Sequence, residues 1–154
     1  MKLKSIDYLC ISHHFTEDEI MVQHTARDFV INEVIPDIEE HFENATFPLK
    51  MVKKFGDLGF LGMNLPEKYG CAGMSHIAYG LLCQELERGD SGIRSFVSVQ
   101  GSLVMYPIYA YGSEKQRKKW LPKLASGEKI GCFGLTEPNY GSDPSGMLTN
   151  AKKV

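Results

Sequence analysis

Gly131-Cys-Phe-Gly-Leu-Thr-Glu-Pro-Asn-Tyr-Gly-Ser-Asp-Pro-Ser-Gly146 opens as an apolar run and then turns sharply into a loop of Pro, Asn, Gly, Ser and Asp. Its front half, Ile130–Thr136, reads as a short strand with Gly131 and Gly134 inside it. Glycine weakens a strand and often marks a place where a ligand or another backbone comes close. The back half, Glu137–Gly146, has strong turn chemistry. Such a loop can aim backbone N–H groups and the Thr136 and Ser142 hydroxyls into one concavity, which suits an anion or an electron-rich ring edge. A strand followed by an ordinary turn accounts for the same residues. The stretch is neither a GxGxxG fingerprint nor a P-loop, since it lacks the lysine.

Upstream the periodicity is helical. Thr16-Glu-Asp-Glu19 is a capping box, and Val22, Ala26, Phe29, Val30 and Val34 follow at helical spacing. Pro36 ends or kinks that helix, with Asp37–Phe42 as a continuation. Pro48 opens a second helix, Leu49–Leu58, closed by Gly59. Ser75 caps a third, with Ile77, Ala78, Leu81, Leu82 and Leu86 on one face. Ser113-Glu-Lys-Gln116 is a second capping box, for a helix disturbed at Pro122. After Gly127 the pattern changes to strands, at Lys129–Thr136 and Met147–Val154. The chain therefore divides into an all-α region, residues 1–127, and the start of a β-domain, residues 128–154. Two strands alone are marginally stable and leave unpaired edges, so the sequence reads as the N-terminal portion of something longer.

Within Ser91–Tyr111 the only charged residue is Arg94. The length raises the question of a membrane span, but Ser91, Ser95, Ser98, Gln100, Ser102 and Pro107 argue for a buried helix broken near Gly101 and Pro107. Arg94 stays charged at any working pH and needs an acidic partner. One reading is an i,i+4 pair with Asp90; the other is a guanidinium that waits for a ligand carboxylate.

The bulk numbers exclude several classes. With a formal net charge of -2 there is no basis for nucleic acid or an anionic membrane as partner. Lys115, Arg117, Lys118, Lys119 and Lys123 form a solvated helix face. Cys10, Cys71, Cys83 and Cys132 lack CxxC spacing and read as reduced thiols of a cytosolic or similar compartment. The five histidines do not pair with Cys or carboxylates at metal-ligand spacing.

The segment Phe133-Gly-Leu-Thr-Glu-Pro-Asn-Tyr-Gly-Ser-Asp-Pro144 resembles the flavin-binding signature of the acyl-CoA dehydrogenases. Leu65-Pro-Glu-Lys-Tyr-Gly70, Cys83-Gln-Glu-Leu-Glu87 and Tyr111-Gly-Ser-Glu-Lys-Gln-Arg-Lys-Lys-Trp-Leu-Pro122 resemble its helical N-terminal domain, in the same order. The resemblance implies that Phe133, Gly134, Leu135, Thr136, Glu137, Pro138, Asn139, Tyr140, Gly141 and Ser142 line FAD. Leu135 and Thr136 would face the ring, and Ser142 would meet the acyl-CoA as well. Tyr140 stands where the family usually has a small residue. Arg94-Ser95 with Val99-Gln-Gly-Ser-Leu-Val-Met-Tyr-Pro-Ile-Tyr-Ala-Tyr-Gly112 resembles the glutaryl-CoA dehydrogenase branch, which implies that Arg94 and Ser95 hold a distal carboxylate.

The reaction so implied removes an α-proton and a β-hydride from glutaryl-CoA, then carbon dioxide, to give crotonyl-CoA. Electrons would leave through electron-transfer flavoprotein, from a homotetramer placed in the bacterial cytoplasm or the mitochondrial matrix. The family's catalytic glutamate lies in a C-terminal domain that nothing here matches, and Glu85, Glu87 and Glu137 are not its equivalent. Glu85 and Glu87 read as helix surface or interhelical pairs. The isolated chain is therefore predicted to bind FAD weakly or not at all and to leave glutaryl-CoA unchanged. A turnover assay on this chain alone checks this, and measurable dehydrogenation would refute it.

Overall fold

The computed structural model describes residue 7 and residues 9–153. The opening residues 1–6 and 8, part of the irregular lead-in expected from sequence, lie outside the described residues, as does the last residue of the expected second strand. The helices are α1 (Glu17–Phe29), α2 (Ile35–Glu43), α3 (Lys50–Asp57), α4 (His76–Gly89), α5 (Ser91–Ser98), α6 (Tyr106–Tyr111) and α7 (Glu114–Ala125). Both capping boxes form, on Thr16 with Glu19 and on Ser113 with Gln116. Glu19 does more than cap, because the Ser75 hydroxyl at the N-cap of α4 donates to its carboxylate at 2.6 Å. One nearly buried acid thus fixes the starts of α1 and α4, which pack side by side.

Pro107 does not break its helix as expected, and at Pro36 the helix carries on through Asp37–Phe42, the continuation anticipated there. Pro36 and Pro107 each follow a π-helical segment, Val30–Val34 and Val99–Met105, and the backbone stays helical through both. A proline ring clashes with the carbonyl four residues earlier and has no N–H to offer it. Those carbonyls belong to Asn32 and Leu103, inside the two π segments, where the widened turn lets the ring pass. Ser91–Tyr111 is therefore one continuous helical run rather than a broken helix. It is only partly buried: Ile93, Val97, Gln100, Gly101 and Met105 face the core, while Leu103, Tyr106 and Tyr111 are exposed.

The core gathers Val22, Ala26 and Phe29 of α1, Met51 and Phe55 of α3, and Leu82 and Leu86 of α4 with the connector residues Phe60, Leu61, Met63 and Leu65. Phe29 packs edge-on against Phe55 and Phe60, with ring centroids 5.6 and 5.8 Å apart. Ile77 does not join the face assigned to it and is exposed, whereas Ala78 beside it is buried. Glu85 is an interhelical partner rather than surface, 2% exposed and bound by Arg27 at 2.6 Å and Arg88 at 3.3 Å.

The expected strands are not formed among the described residues. The backbone of 130–136 and 147–153 carries no ladder, and one isolated bridge joins Glu137 to Tyr140. An apolar run becomes a strand only when a neighbour accepts its hydrogen bonds, and no such neighbour is present among the described residues.

Glu85 supplies the test of this packing. Glu85→Ala leaves two guanidinium groups without their shared carboxylate and is expected to cost about 3 kcal/mol of stability. Urea denaturation reads this directly, and an unchanged midpoint would contradict it.

Candidate functional site

Arg94 lies on α5, in the first turns after Asp90 caps the helix. The Asp90 carboxylate accepts from the Ile93 amide at 2.7 Å, so it is the N-cap and not the partner of Arg94. The partner is Glu87 on α4, bound to Nε at 2.5 Å, while Nη1 donates to the Ser98 hydroxyl at 3.2 Å. Glu87 also accepts from Ser91 at 2.6 Å, and these hydrogen bonds, Ser91 first, lower its pKa. Nη2 has no partner among the described residues, which leaves one edge of the guanidinium fork open. Ser95 is half-exposed beside it, its carbonyl accepting from Ser98 at 3.1 Å.

The other polar groups near Arg94 are neutral. Tyr79, whose hydroxyl lies 3.0 Å from that of Ser102, is pushed up to about 12 by burial. Burial also raises the Cys83 thiol. Around Arg94 the polar strip between α4 and α5 thus carries the Glu87 carboxylate, the Cys83 thiol and hydroxyl groups.

The segment 133–142 forms an exposed ledge. Phe133 is 49% and Leu135 41% exposed, and the Thr136 and Ser142 side chains are exposed too. Backbone N–H groups 132–136 have no partner among the described residues. The loop itself is internally fastened. Glu137 and Tyr140 exchange backbone bonds at 3.3 and 3.1 Å across Pro138-Asn139, a tight turn. The Glu137 carboxylate accepts the amides of Leu148 at 2.9 Å and Thr149 at 2.8 Å. Tyr140, the departure from the family pattern, lies against Gly146, where any Cβ would overlap its ring. The larger residue is accommodated because its neighbour has no side chain.

What joins this ledge to the helices is Gln100, which the sequence marks only as a polar residue in an apolar run. It is 1% exposed. Its Nε2 donates to the carbonyls of Leu124 at 3.0 Å and Lys129 at 2.9 Å, and its Oε1 accepts the Gly131 amide at 2.9 Å. A lone amide in a helix otherwise free of uncharged long polar side chains was the available signal. The structure thus places Arg94 and Ser95 together and hangs 133–142 from the same helical run. No hydrogen bond links Ser142 to Arg94 or Ser95 among the described residues. An open apolar groove of about 610 Å³ lies beside the ledge between α6 and α7, lined by Val104, Pro107, Ile108, Trp120, Leu124 and Ile130, and does not include Arg94. No group of three His, Cys, Asp or Glu suited to a metal occurs among the described residues, and none of the described helices is long and apolar enough to cross a membrane.

Comparison with known proteins gives consistent results. Residues 16–128 match the family model described as acyl-CoA dehydrogenase, N-terminal domain. The structure of a glutaryl-CoA dehydrogenase from Mycobacterium smegmatis in complex with FADH2 is 55% identical, with a TM-score of 0.86 over 90% of this chain and 36% of that one. The butyryl-CoA dehydrogenase of Megasphaera elsdenii is 32% identical, with a TM-score of 0.80 over 94% of this chain and 37% of that one. The short-chain specific acyl-CoA dehydrogenase of Rattus norvegicus mitochondria is 37% identical over 137 residues, 89% of this chain and 33% of the relative. The chain spans about a third of the length of the curated relatives it matches.

Glu137 generates a pH prediction. The hydrogen bonds from Thr149 and Leu148 hold its carboxyl below the usual value. A depressed folded pKa means that the loop's fastening is complete above the unfolded value near 4.5 and is lost as pH falls through the folded one. Protection of the Leu148 and Thr149 amides, measured against a free amide at the same pH, is expected to be lost as pH falls through the folded value, and in Glu137→Gln at neutral pH. Protection that persists in both cases would show that another contact holds the loop.

Proposed function

The chain belongs to the acyl-CoA dehydrogenase family, and from that premise we propose that it provides the carboxylate-binding and flavin-contact parts of a glutaryl-CoA dehydrogenase. The observation that carries the substrate reading is Arg94, a half-exposed guanidinium on an otherwise uncharged helix whose Nη2 has no partner among the described residues. Glu87 and Ser98 occupy its other nitrogens and hold the fork in one orientation. Held this way, the free edge can meet a substrate carboxylate without the entropic cost of ordering a long side chain. Ser95, on the same turn, adds a hydroxyl donor.

The ledge suits FAD on its own chemistry. Phe133 and Leu135 offer an apolar surface to a ring, and the unpartnered amides of 132–136 with the Thr136 and Ser142 hydroxyls offer donors to its polar edge. Bound FAD supplies the hydride acceptor. The exposed Ser142 hydroxyl would also be available to the acyl-CoA. The residues of this chain bind and align; none of its candidate glutamates is free to take the α-proton. Glu85 is held by Arg27 and Arg88, Glu87 by Arg94 and Ser91, and Glu137 by two amides. Dehydrogenation of glutaryl-CoA is followed by loss of carbon dioxide to crotonyl-CoA, with electron-transfer flavoprotein as acceptor and a homotetramer as the working assembly.

The second reading is a dehydrogenase for short unbranched acyl-CoA. The Glu87 pair favours it, since it already neutralises Arg94, as do the short-chain and butyryl-CoA relatives. A chimera separates the two, with residues 16–153 placed in the corresponding part of the M. smegmatis enzyme. Arg94→Ala there is expected to lower kcat/KM for glutaryl-CoA by roughly 100-fold and to leave butyryl-CoA within about threefold. Equal loss on both substrates, or none on either, would support the second reading.

A further inference from the structure

We propose that Gln100 is a positioning residue that fixes the separation between Arg94 and the segment 133–142, and so selects the length of the dicarboxylic acyl chain. This rests on the reading of Arg94 and of that segment given above. Arg94 and Gln100 belong to one uninterrupted helical run, six residues apart, or about 9 Å along its axis. That spacing is set by the backbone hydrogen bonds of the helical run. Arg94 is fastened at one end of it by Glu87 and Ser98. At the other end Gln100 holds the Gly131 amide, two residues before Phe133.

Two features make this joint a fixed distance. The Gln100 amide plane satisfies three backbone groups at 2.9 to 3.0 Å from a buried position, so no other rotamer keeps them paired. One turn further along the run, Val104 lies where a Cβ on residue 131 would be, so the segment approaches the helix as closely as glycine allows. The chain leading into the ledge is thus seated on the π segment by the Gln100 bonds to Lys129 and Gly131 and by the Val104 contact. A diacid whose carboxylate meets Arg94 must then place its reacting carbons at one depth against the ledge. A single methylene more or less misplaces them, and misplacement of this order is costly in rate.

The test uses Gln100→Asn, which keeps the amide and shortens its reach, and Gly131→Ala, which lifts the ledge without touching Gln100. Both are made in the chimera and in this chain. In the chain, the amide of residue 131 is expected to exchange slowly, to lose that protection in both variants, and to regain it in Gly131→Ala with Val104→Ala. In the chimera, succinyl-, glutaryl- and adipyl-CoA are compared. Each single variant is expected to lower kcat for glutaryl-CoA by about tenfold or more with KM within about threefold, and to flatten the preference for five carbons. The Gly131→Ala, Val104→Ala pair is expected to restore it.

A residue 131 amide that exchanges freely in the unsubstituted chain would overturn the proposal. So would a flavin-loaded single variant whose kcat and chain-length preference are unchanged. If Gln100→Asn does not fold, the Gly131→Ala series decides alone. An unsubstituted chimera that prefers butyryl-CoA to glutaryl-CoA would instead refute the substrate reading itself, and the proposal with it.

Discussion

The functional features of this chain hang on the geometry of one helical run, Ser91–Tyr111. Arg94 stands near its start, Gln100 at its middle, and the segment that follows α7 is seated on its π turn. A break at the proline would separate the part of the run that carries Arg94, Gln100 and Val104 from α6, against which α7 packs. The π segment Val99–Met105 prevents this by widening the helix around the carbonyl that the ring would strike. The same device at Val30–Val34 carries the first helix past Pro36, so the solution to proline is repeated at two places in the bundle.

The charged groups are arranged with similar restraint. Of the nearly buried carboxylates, Glu19 joins two helix starts and Glu85 gathers two arginines. Glu87 differs because it lies at the surface and binds only part of Arg94. An arginine held by two nitrogens and open at the third is poised for a planar acid, and the neutral Tyr79 and Cys83 beside it add no competing charge. Glu137 directs its charge at the loop's own amides and so shapes the ledge.

Much of this was legible in the sequence. The capping boxes at Thr16 and Ser113, the Ser75 cap and the helical stripe through Val22, Ala26 and Phe29 are local patterns, and the structure keeps them. Two kinds of feature were not legible. A π turn depends on how a proline is absorbed, so Pro107 reads as a break and Pro36 as an end or a kink. Partner choice between helices depends on packing, so Arg94 pairs with Glu87, seven residues away on the preceding helix, and not with Asp90 one turn back. Strands at 129–136 and 147–153 fail for a third reason, because a strand needs a neighbour that accepts its hydrogen bonds, and none is present among the described residues. The role of Gln100 could be seen only once its three backbone partners were in place.

The central claim is that the open edge of Arg94 receives the carboxylate of a diacid. The most direct measurement is a crystal structure of the chimera with a non-reactive thioether analogue of glutaryl-CoA. The account predicts the carboxylate within hydrogen-bond distance of Arg94 Nη2, with Glu87 and Ser98 still on the other nitrogens. A carboxylate turned to solvent, with Arg94 bound to Glu87 and Ser98 alone, would contradict it.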